Sequence, residues 1–447
     1  MKRNRAVAVA LTSLVAAAGL SACSSGDAGG DGPVEITIME YQQTRIDIVE
    51  KLIPGFEAEM KEQGRDITVN LIADQLNDEQ FKTKITQQFI AGEAPDVIDM
   101  GESLVPGFAG AGYLAPLDEY LEDWDGWEHY YPEFKDASVR QDGKIYSLLN
   151  TSGVLNLFYR EDILTELGVD TSQPQTWDEL IERLKEVKEL TGDTPIVLPA
   201  GSAWGGGTWN EGFQPLLGGT DQDYYDPETG KWDLESPGFA AVFDLYAELA
   251  EAELLPVQDL LNPNPWQPTK YEKFPAGEIQ VAAQGTWGWK FDWGPEGATP
   301  IPELTDKVST WQFPGLRDGD EPFGWLNLGG VYTIPESSEH KEEAMLLMQY
   351  LTTGEPLAEQ LVASGAASPR DDISDVKPYA DEPELLQAGV DQETSVFVPT
   401  GDGSDQIAQA VASATELILT GEADGEEAYE AFVKDATELL GPNLVKE

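Results

Sequence analysis

The chain of 447 residues is poor in cysteine, histidine and basic side chains. It has one cysteine and two histidines, so no disulfide can form within the chain, and too few soft ligands are present for a structural zinc or iron–sulfur site. Only 27 basic residues stand against 82 acidic ones, which gives a formal net charge of −55. Such a polyanion repels phosphate backbones, which excludes nucleic-acid binding. We expect no cofactor and no bound metal.

Long apolar runs are also absent, except at the N-terminus. Three basic residues, Lys2, Arg3 and Arg5, precede an apolar segment over 6–20, and no acidic residue occurs before Asp27. A stretch of about 15 apolar residues is too short to span a bilayer and is typical of a secretory signal peptide.

The only cysteine of the chain follows this segment. Residues 20–23 read LSAC, which resembles the lipobox of bacterial lipoproteins, in which the cysteine is lipidated and becomes the mature N-terminus. We predict a signal peptide over 1–22, lipidation at Cys23 and a flexible tether over 23–33, rich in Gly, Ser and Asp. The alternative is a chance cysteine beside an ordinary signal peptide. Cleavage would change the net charge from −55 to −58.

After the tether, segments with the hydrophobic spacing of strands alternate with segments with the spacing of helices. Apolar residues alternate over 34–38 and 67–71, as in strands, and recur at helical spacing over 46–60 and 81–89. With a further short strand near 95–98, this order predicts an α/β layer, whose ligands gather after the carboxyl ends of strands. Pro54 lies inside the first helical pattern, where it is expected to bend or interrupt the helix.

The remaining chain carries further local signals. Thr176 and Glu179 have the spacing of a capping box before a helix, and residues 225–232 have the composition of a β-hairpin. Helical patterns begin at Pro237 and cover 404–440, whereas the segment 251–302 is rich in Trp, Pro and Gly and has little periodicity.

Eight short segments, which follow one another in a fixed order along the chain, make it similar to a known family. It resembles the extracellular solute-binding proteins of ABC importers, in the maltose-binding-protein-like, sugar-binding group (family 1). The segments are GEAPDVIDM at 92–100, GYLAPL at 112–117, GKIY at 143–146, LFYRED at 157–162, QTWDEL at 175–180, FPAGE at 274–278, GTWGW at 285–289 and LGGV at 328–331.

The resemblance implies an α/β, two-lobe periplasmic-binding-protein type II-like fold, with a ligand cleft between discontinuous lobes. We expect lobe 1 to comprise 34–149 plus 311–352, and lobe 2 to comprise 150–310 plus 353–447. The chain would then cross between the lobes near 147–151, near 308–313 and near 351–354.

The resemblance also implies a function without catalysis. The protein is expected to be a monomer that is lipid-anchored on the extracellular face of the cell membrane. It would bind a mono- or oligosaccharide, close by a hinge motion and deliver the sugar to the transmembrane subunits of an ABC permease. The lipid anchor would be its only contact with the membrane.

Sugar sites need aromatic platforms with amide, carboxylate or Arg groups at the rim, and nine of the 12 tryptophans lie between 204 and 325. The Gly-rich segment 201–210 contributes the candidates Trp204, Trp209 and Asn210. It lacks the lysine of a phosphate-binding loop, and its other interpretation is a surface loop with one buried Trp.

Further candidates rest on the resemblance. Trp287 lies in GTWGW, where the family stacks an aromatic ring on the sugar, and Trp289 is expected to be mostly structural; alternatively, both are structural residues that pack on a strand. Trp325 and Asn327 fall where the family brings a strand into the cleft. Arg370 matches a Pro-Arg element near the cleft rim, although an ion pair explains it equally well.

Lobe 1 is expected to contribute Gln42 after the first strand, Glu102 after DMG, and Asn150 at the first crossing. Tyr41 and Gln43 are neighbouring candidates, and Tyr41 or Gln42 could instead cap the following helix.

Two other functions remain open. The acidity and the 15 tyrosines would suit a binder of another small solute, such as a polyamine or a metal. A secreted glycoside hydrolase would need two carboxylates in the cleft, and 82 acidic residues make chance pairs inevitable.

Overall fold

The computed structural model describes residues 33–446 except 77, 141, 221–222, 227–228, 393–394, 396–400 and 402. The predicted signal peptide, Cys23 and nearly all of the tether lie outside the described residues. Within the described ranges, no helix combines the length and apolar character needed to cross a membrane.

The strands follow the chain in this order: β1 (Val34–Glu40), β2 (Ile67–Ala73), β3 (Val97–Gly101), β4 (Leu148–Leu149), β5 (Ser152–Arg160), β6 (Ile196–Val197), β7 (Tyr225–Asp226), β8 (Lys231–Trp232), β9 (Val281–Gly285), β10 (Val308–Trp311), β11 (Trp325–Leu328) and β12 (Gly330–Thr333). The helices are α1 (Gln43–Glu62), α2 (Asp78–Ala91), α3 (Val105–Gly110), α4 (Asp118–Glu122), α5 (Pro132–Ser138), α6 (Glu161–Leu167), α7 (Trp177–Thr191), α8 (Gln214–Gly218), α9 (Pro237–Glu251), α10 (Val257–Leu260), α11 (Phe274–Ala276), α12 (Leu304–Lys307), α13 (Lys341–Leu351), α14 (Gly354–Ser364), α15 (Pro383–Gln392), α16 (Ser404–Thr420) and α17 (Gly425–Leu440).

Two five-stranded sheets form the centres of two lobes. The sheet of lobe 1 has the order β2-β1-β3-β12-β4, in which β1, β2 and β3 are parallel and β12 runs antiparallel to both of its neighbours. The sheet of lobe 2 has the order β10-β5-β9-β6, with β11 also paired to β5. Each sheet lies in its own hydrophobic core. The predicted α/β fold with two discontinuous lobes is therefore confirmed.

Both cores combine distant parts of the chain. The core of lobe 1 joins buried side chains from 36–154 and 326–351, whereas the core of lobe 2 joins those from 155–325 and 407–440. The first crossing between lobes runs from β4 into β5, within the predicted region. The second runs from β11, paired with β5, into β12, paired with β3.

Two crossings differ from their expected positions. Residues 308–311 form β10, which still pairs with β5, so the chain leaves lobe 2 only at Gly329. Helix α14 packs against α1 of lobe 1, so the third crossing lies between α14 and α16 rather than near 351–354. In both cases the position of the crossing depends on which strand or helix the segment contacts. Because that contact is long-range, local periodicity does not predict it.

Local signals agree with the structure in most elements. Helix α1 continues through Pro54, and its buried face includes Val49, Phe56 and Met60. Thr176 caps α7 by accepting a hydrogen bond from the Glu179 backbone N–H at 3.2 Å. The Glu179 carboxylate reaches back one residue further than expected and accepts from the backbone N–H of Gln175.

Candidate functional site

The strand ends of lobe 1 converge on one edge of its sheet. The carboxyl ends of β1, β3 and β4 lie there beside the beginning of β12, because β12 is antiparallel to β3 and β4. In lobe 2, the end of β9 lies beside the beginning of β5. A cavity of about 420 Å³ lies between these two edges and is lined by both lobes and by the first two crossings.

The aromatic and amide side chains of lobe 1 reach the cavity directly after β1. The Tyr41 ring stacks on Phe81 with a centroid distance of 4.1 Å, which fixes the orientation of the tyrosine. Gln42 occupies the N-cap position of α1, but its side chain makes no capping bond. Gln42 is exposed at the cavity, and its Nε2 donates a long hydrogen bond of 3.4 Å to the Tyr41 hydroxyl, so its amide oxygen and second N–H can serve a ligand.

A charged pair forms the polar floor of the cavity. Arg45, in the first turn of α1, lies with its Nη1 2.6 Å from the carboxylate of Asp99, which lies in β3. The same nitrogen lies 3.1 Å from the Asn150 side-chain oxygen, and Nη2 donates to the Thr151 hydroxyl at 3.0 Å. Arg45, Asp99 and Thr151 line the cavity, whereas Asn150 is fully buried behind them and supports the pair.

Glu40 lies beneath this pair with no exposed surface. Burial, and then the negative charge of Asp99, raise the pKa of Glu40 well above the usual value of a glutamate. No N–H or O–H group of the described residues donates to either carboxylate oxygen of Glu40. The protonated form is therefore favoured, and it can donate to Asp99. Although burial opposes the charge of Arg45, Asp99 raises the pKa of that guanidinium above its usual value.

Trp287 and Phe291 provide the apolar wall on the side of lobe 2. Trp287 is partly exposed and lines the cavity in the turn after β9, next to Thr286. Phe291 also lines the cavity and keeps 40% of its surface exposed. Trp289 instead packs on Phe158, with ring centroids 4.9 Å apart, as expected for a structural tryptophan.

The crossings between the lobes complete the cavity. Asn327 lies at the end of β11, opposite Gly153 of β5, and its side chain lines the cavity. The backbone N–H of Gly330 donates to the Thr151 hydroxyl at 2.7 Å, which joins the first two crossings. The Ser152 backbone N–H donates to the carbonyl of Ala367 at 3.1 Å. This bond joins the segment after α14 to the first two crossings.

Three of the predicted site residues, Gln42, Trp287 and Asn327, thus lie at the cavity, and seven do not. Trp209 packs in the core of lobe 2 against Tyr224 and Trp232, in a π-helical turn over 208–213, and Asn210 of the same turn is exposed to solvent. Trp325 is 4% exposed because its ring covers Gly218. The sequence signal at these tryptophans reflects core packing.

Trp204 follows β6, on the same edge of the sheet as Trp287, but does not line the cavity. Its ring lies 6.3 Å from that of Trp266, and the ammonium of Lys270 lies 5.1 Å from its centroid. Lys270 is itself buried and paired with Glu211 at 3.0 Å. These contacts make Trp204 part of a polar–aromatic cluster with Trp266, Lys270 and Glu211.

Glu102 and Arg370 are both held by ion pairs. Glu102 pairs with Arg140, with 15% of each side chain exposed. Arg370 is 2% exposed and binds both oxygens of Asp372 at 2.9 and 2.6 Å. Its guanidinium also lies against the rings of Trp124 and Tyr130. It thereby fastens the segment after α14 to lobe 1, as the ion-pair interpretation expected.

Sequence reasoning missed Arg45 and Asp99. Arg45 lies in the first turn of α1, shortly after β1, and Asp99 lies in β3 two residues before that strand ends at Gly101. Both are therefore close to the strand ends at which ligands of such sheets gather. The segment 364–366 also lines the cavity, and no sequence signal marked it.

One group of three possible metal ligands occurs among the described residues. His129, Asp371 and Asp372 are close together and exposed, outside the cavity. The His129 Nδ1 atom lies 2.9 Å from Asp371, and Asp372 is bound by Arg370, so these ligand atoms already have protein partners.

Comparisons with known proteins fit this architecture. A family model described as "Bacterial extracellular solute-binding protein" matches residues 56–387. The chain is 24% identical over 373 residues to the arabinooligosaccharide-binding protein of Halalkalibacterium halodurans, covering 80% of this chain and 76% of that one. It is 26% identical over 279 residues to the maltotriose-binding protein of Pyrococcus abyssi, covering 61% and 53%.

Solved structures share the fold. The sugar-binding protein MalE of Xanthomonas citri superposes with a TM-score of 0.76 at 20% identity, covering 91% of this chain and 97% of that one. The cyclic alpha-maltosyl-1,6-maltose binding protein of Arthrobacter globiformis gives a TM-score of 0.74 at 21% identity, covering 92% and 99%.

Proposed function

The chain belongs to the bacterial extracellular solute-binding protein family, and we propose that it binds a mono- or oligosaccharide in the cavity between its lobes and delivers it to the permease of an ABC importer. The family consists of solute-binding proteins rather than enzymes. Binding would draw the lobes together about the three crossings, and the closed form would dock on the transmembrane subunits.

The observation that carries this proposal is the composition of the cavity. Trp287 offers a flat ring for the C–H face of a sugar, while Gln42 and Asn327 offer amides to its hydroxyls. Two relatives are named for arabinooligosaccharide and maltotriose binding, which supports a carbohydrate over a polyamine or a metal.

Hydrolysis receives no comparable support. Asp99 is the only carboxylate among the described residues that line the cavity, and it is paired with Arg45. Glycoside hydrolysis by a carboxylate pair needs a second such group.

A binding panel tests the function. The purified protein is titrated with maltotriose, arabinotriose, lactose and diacetylchitobiose while thermal stability and tryptophan fluorescence are followed, with spermidine and ferric iron as controls. We expect at least one sugar to raise the melting temperature and change the fluorescence without being consumed. A response to spermidine or iron alone, or release of sugar products, would contradict the proposal.

We also propose that Cys23 carries the lipid that anchors the protein on the extracellular face. Its support is the LSAC sequence at the end of the signal-like segment. In a lipoprotein-processing bacterial host, the Cys23→Ser variant should lose incorporation of labelled palmitate and appear in the medium, whereas Ser25→Ala should stay with the membranes. Equal labelling of both variants would refute the anchor.

A further inference from the structure

Arg45 has hydrogen-bond donors that the protein does not use. A guanidinium carries five N–H groups. Three are engaged, two of Nη1 with Asp99 and Asn150 and one of Nη2 with Thr151. The Nε–H and the second Nη2–H have no partner among the described residues, and 15% of the side chain remains exposed where it lines the cavity. These two donors can reach an oxygen of a bound ligand.

The guanidinium is held in place before any ligand arrives. A Cβ added to Gly330 would lie 2.5 and 2.6 Å from the two terminal nitrogens of Arg45, so the second crossing passes directly against the guanidinium. Asp99 and Thr151 hold it further, by an ion pair and a hydrogen bond. A donor fixed in this way loses little entropy on binding, which favours its use as an anchor.

The surrounding charges cancel that of Arg45. Asp99 is ion-paired with it, and the buried Glu40 behind them favours its neutral form. A ligand carboxylate would have to be desolvated next to Asp99 and would meet no net positive charge in compensation. An uncharged hydroxyl or ring oxygen carries no such cost.

We propose that Arg45 is the ligand anchor of lobe 1, donating from Nε and Nη2 to an uncharged sugar oxygen, and that its pairing with Asp99 makes the site select neutral sugars over their uronic acids. The inference rests on the proposed sugar binding and adds the charge class of the ligand.

Calorimetry with paired ligands tests the proposal. The sugar of the panel that binds most tightly is compared with the same sugar whose terminal CH₂OH has been oxidised to a carboxylate. We expect the unmodified protein to prefer the neutral form at least tenfold. Arg45→Lys, which keeps the charge but loses the planar donors, should weaken neutral binding at least tenfold. Asp99→Asn, which leaves Arg45 uncompensated, should shift the preference towards the carboxylate.

Arg160→Lys is the matched control, because Arg160 is a buried arginine paired with Asp162 at 2.7 Å that does not line the cavity. It should keep wild-type affinity. Unchanged neutral binding by Arg45→Lys, or equal affinity of the unmodified protein for both ligands, would overturn the assignment while leaving sugar binding intact. The paired-ligand comparison needs no variant, so it tests the preference for neutral sugars even if Arg45→Lys does not fold. If no sugar binds the unmodified protein, both proposals are wrong.

Discussion

Gly285 and Trp287 form a steric pair at the end of β9: a Cβ on Gly285 would lie 2.0 Å from the six-membered ring of Trp287. The ring therefore lies directly over the glycine backbone. Gly153 of β5 lies near the same edge of the ring, where an added Cβ would be at an ordinary contact distance of 3.6 Å. The absence of a side chain at Gly285 thus permits the orientation in which Trp287 lines the cavity.

Removing the Trp287 ring should weaken sugar binding. If the ring stacks on the ligand, Trp287→Ala should raise the Kd at least tenfold, which corresponds to about 1.4 kcal/mol. Trp289→Ala, which removes packing against Phe158, should instead lower thermal stability and leave the Kd of the remaining folded protein within about threefold. Calorimetric titration of both variants distinguishes the two roles, and equal Kd values for Trp287→Ala and the unmodified protein would rule out stacking.

Adding a methyl group at Gly285 should act through the same ring. Gly285→Ala should displace Trp287 and weaken binding, but the same substitution in a Trp287→Ala background should have little further effect, because the ring that it displaces is gone. Gly107→Ala, at an exposed helical glycine with open space around it, controls for the added methyl. A double-mutant cycle by calorimetry measures the coupling; additive effects on the Kd would contradict the steric link.

The first lobe was largely predictable because its elements have strong local periods. The apolar residues of β1, α1, β2 and α2 recur at spacings of two or of three to four, and burial follows those spacings. The second crossing was placed too early, since β10 and β11 both pair with β5 and nothing local distinguishes the strand that precedes the crossing. The third was placed too early because α14 packs against α1 of lobe 1, which is a long-range contact.

The cavity was only partly predictable. Residue type suggested Trp287 and Asn327, but the same reasoning selected Trp209 and Trp325, which fill the core of lobe 2. A tryptophan suits a sugar platform and an apolar core equally well, so type alone does not separate them. Arg45 was not predicted because it directly precedes a helical pattern and carries no signal of its own, and its position depends on Asp99, 54 positions away in the sequence.

Glu40 should make stability fall as pH rises. Its folded pKa lies above the unfolded value, so the folded state binds more protons between the two values and loses stability as pH increases through that range. Glu40→Gln removes this titration and should flatten the decline in the unfolding free energy as pH rises above 4.5, the ordinary pKa of a glutamate. Urea denaturation at several pH values measures it. The exposed Glu62→Gln controls for the lost carboxylate, and parallel curves for Glu40→Gln and the unmodified protein would contradict the prediction.

Arg370 should matter for stability rather than for ligand affinity. Its bidentate contact with Asp372, its bond to the Gly126 carbonyl at 2.8 Å and its two aromatic neighbours all lie outside the cavity. Arg370→Lys keeps the charge but loses the planar fork, and we expect a loss of roughly 1–3 kcal/mol in unfolding free energy. The exposed Arg65→Lys is the control. Urea denaturation measures the loss of stability, and calorimetric titration measures the Kd. A tenfold weaker binding with unchanged stability would show instead that Arg370 belongs to the binding site.

Salt should stabilise this protein, although salt weakens ion pairs. Exposed pairs such as Lys51–Glu359 contribute at most about 1 kcal/mol each, so screening them costs little. The net charge of −55 produces a repulsion summed over the whole surface, and the Debye length falls from about 30 Å at 0.01 M to about 8 Å at 0.15 M salt. Over this range, salt screens the repulsion between distant carboxylates more strongly than it screens ion pairs a few ångströms apart. The urea midpoint should therefore rise most steeply below about 0.15 M KCl, before ion-specific effects become large. A midpoint that stays flat or falls over this interval would show that self-repulsion does not limit the stability of the folded state.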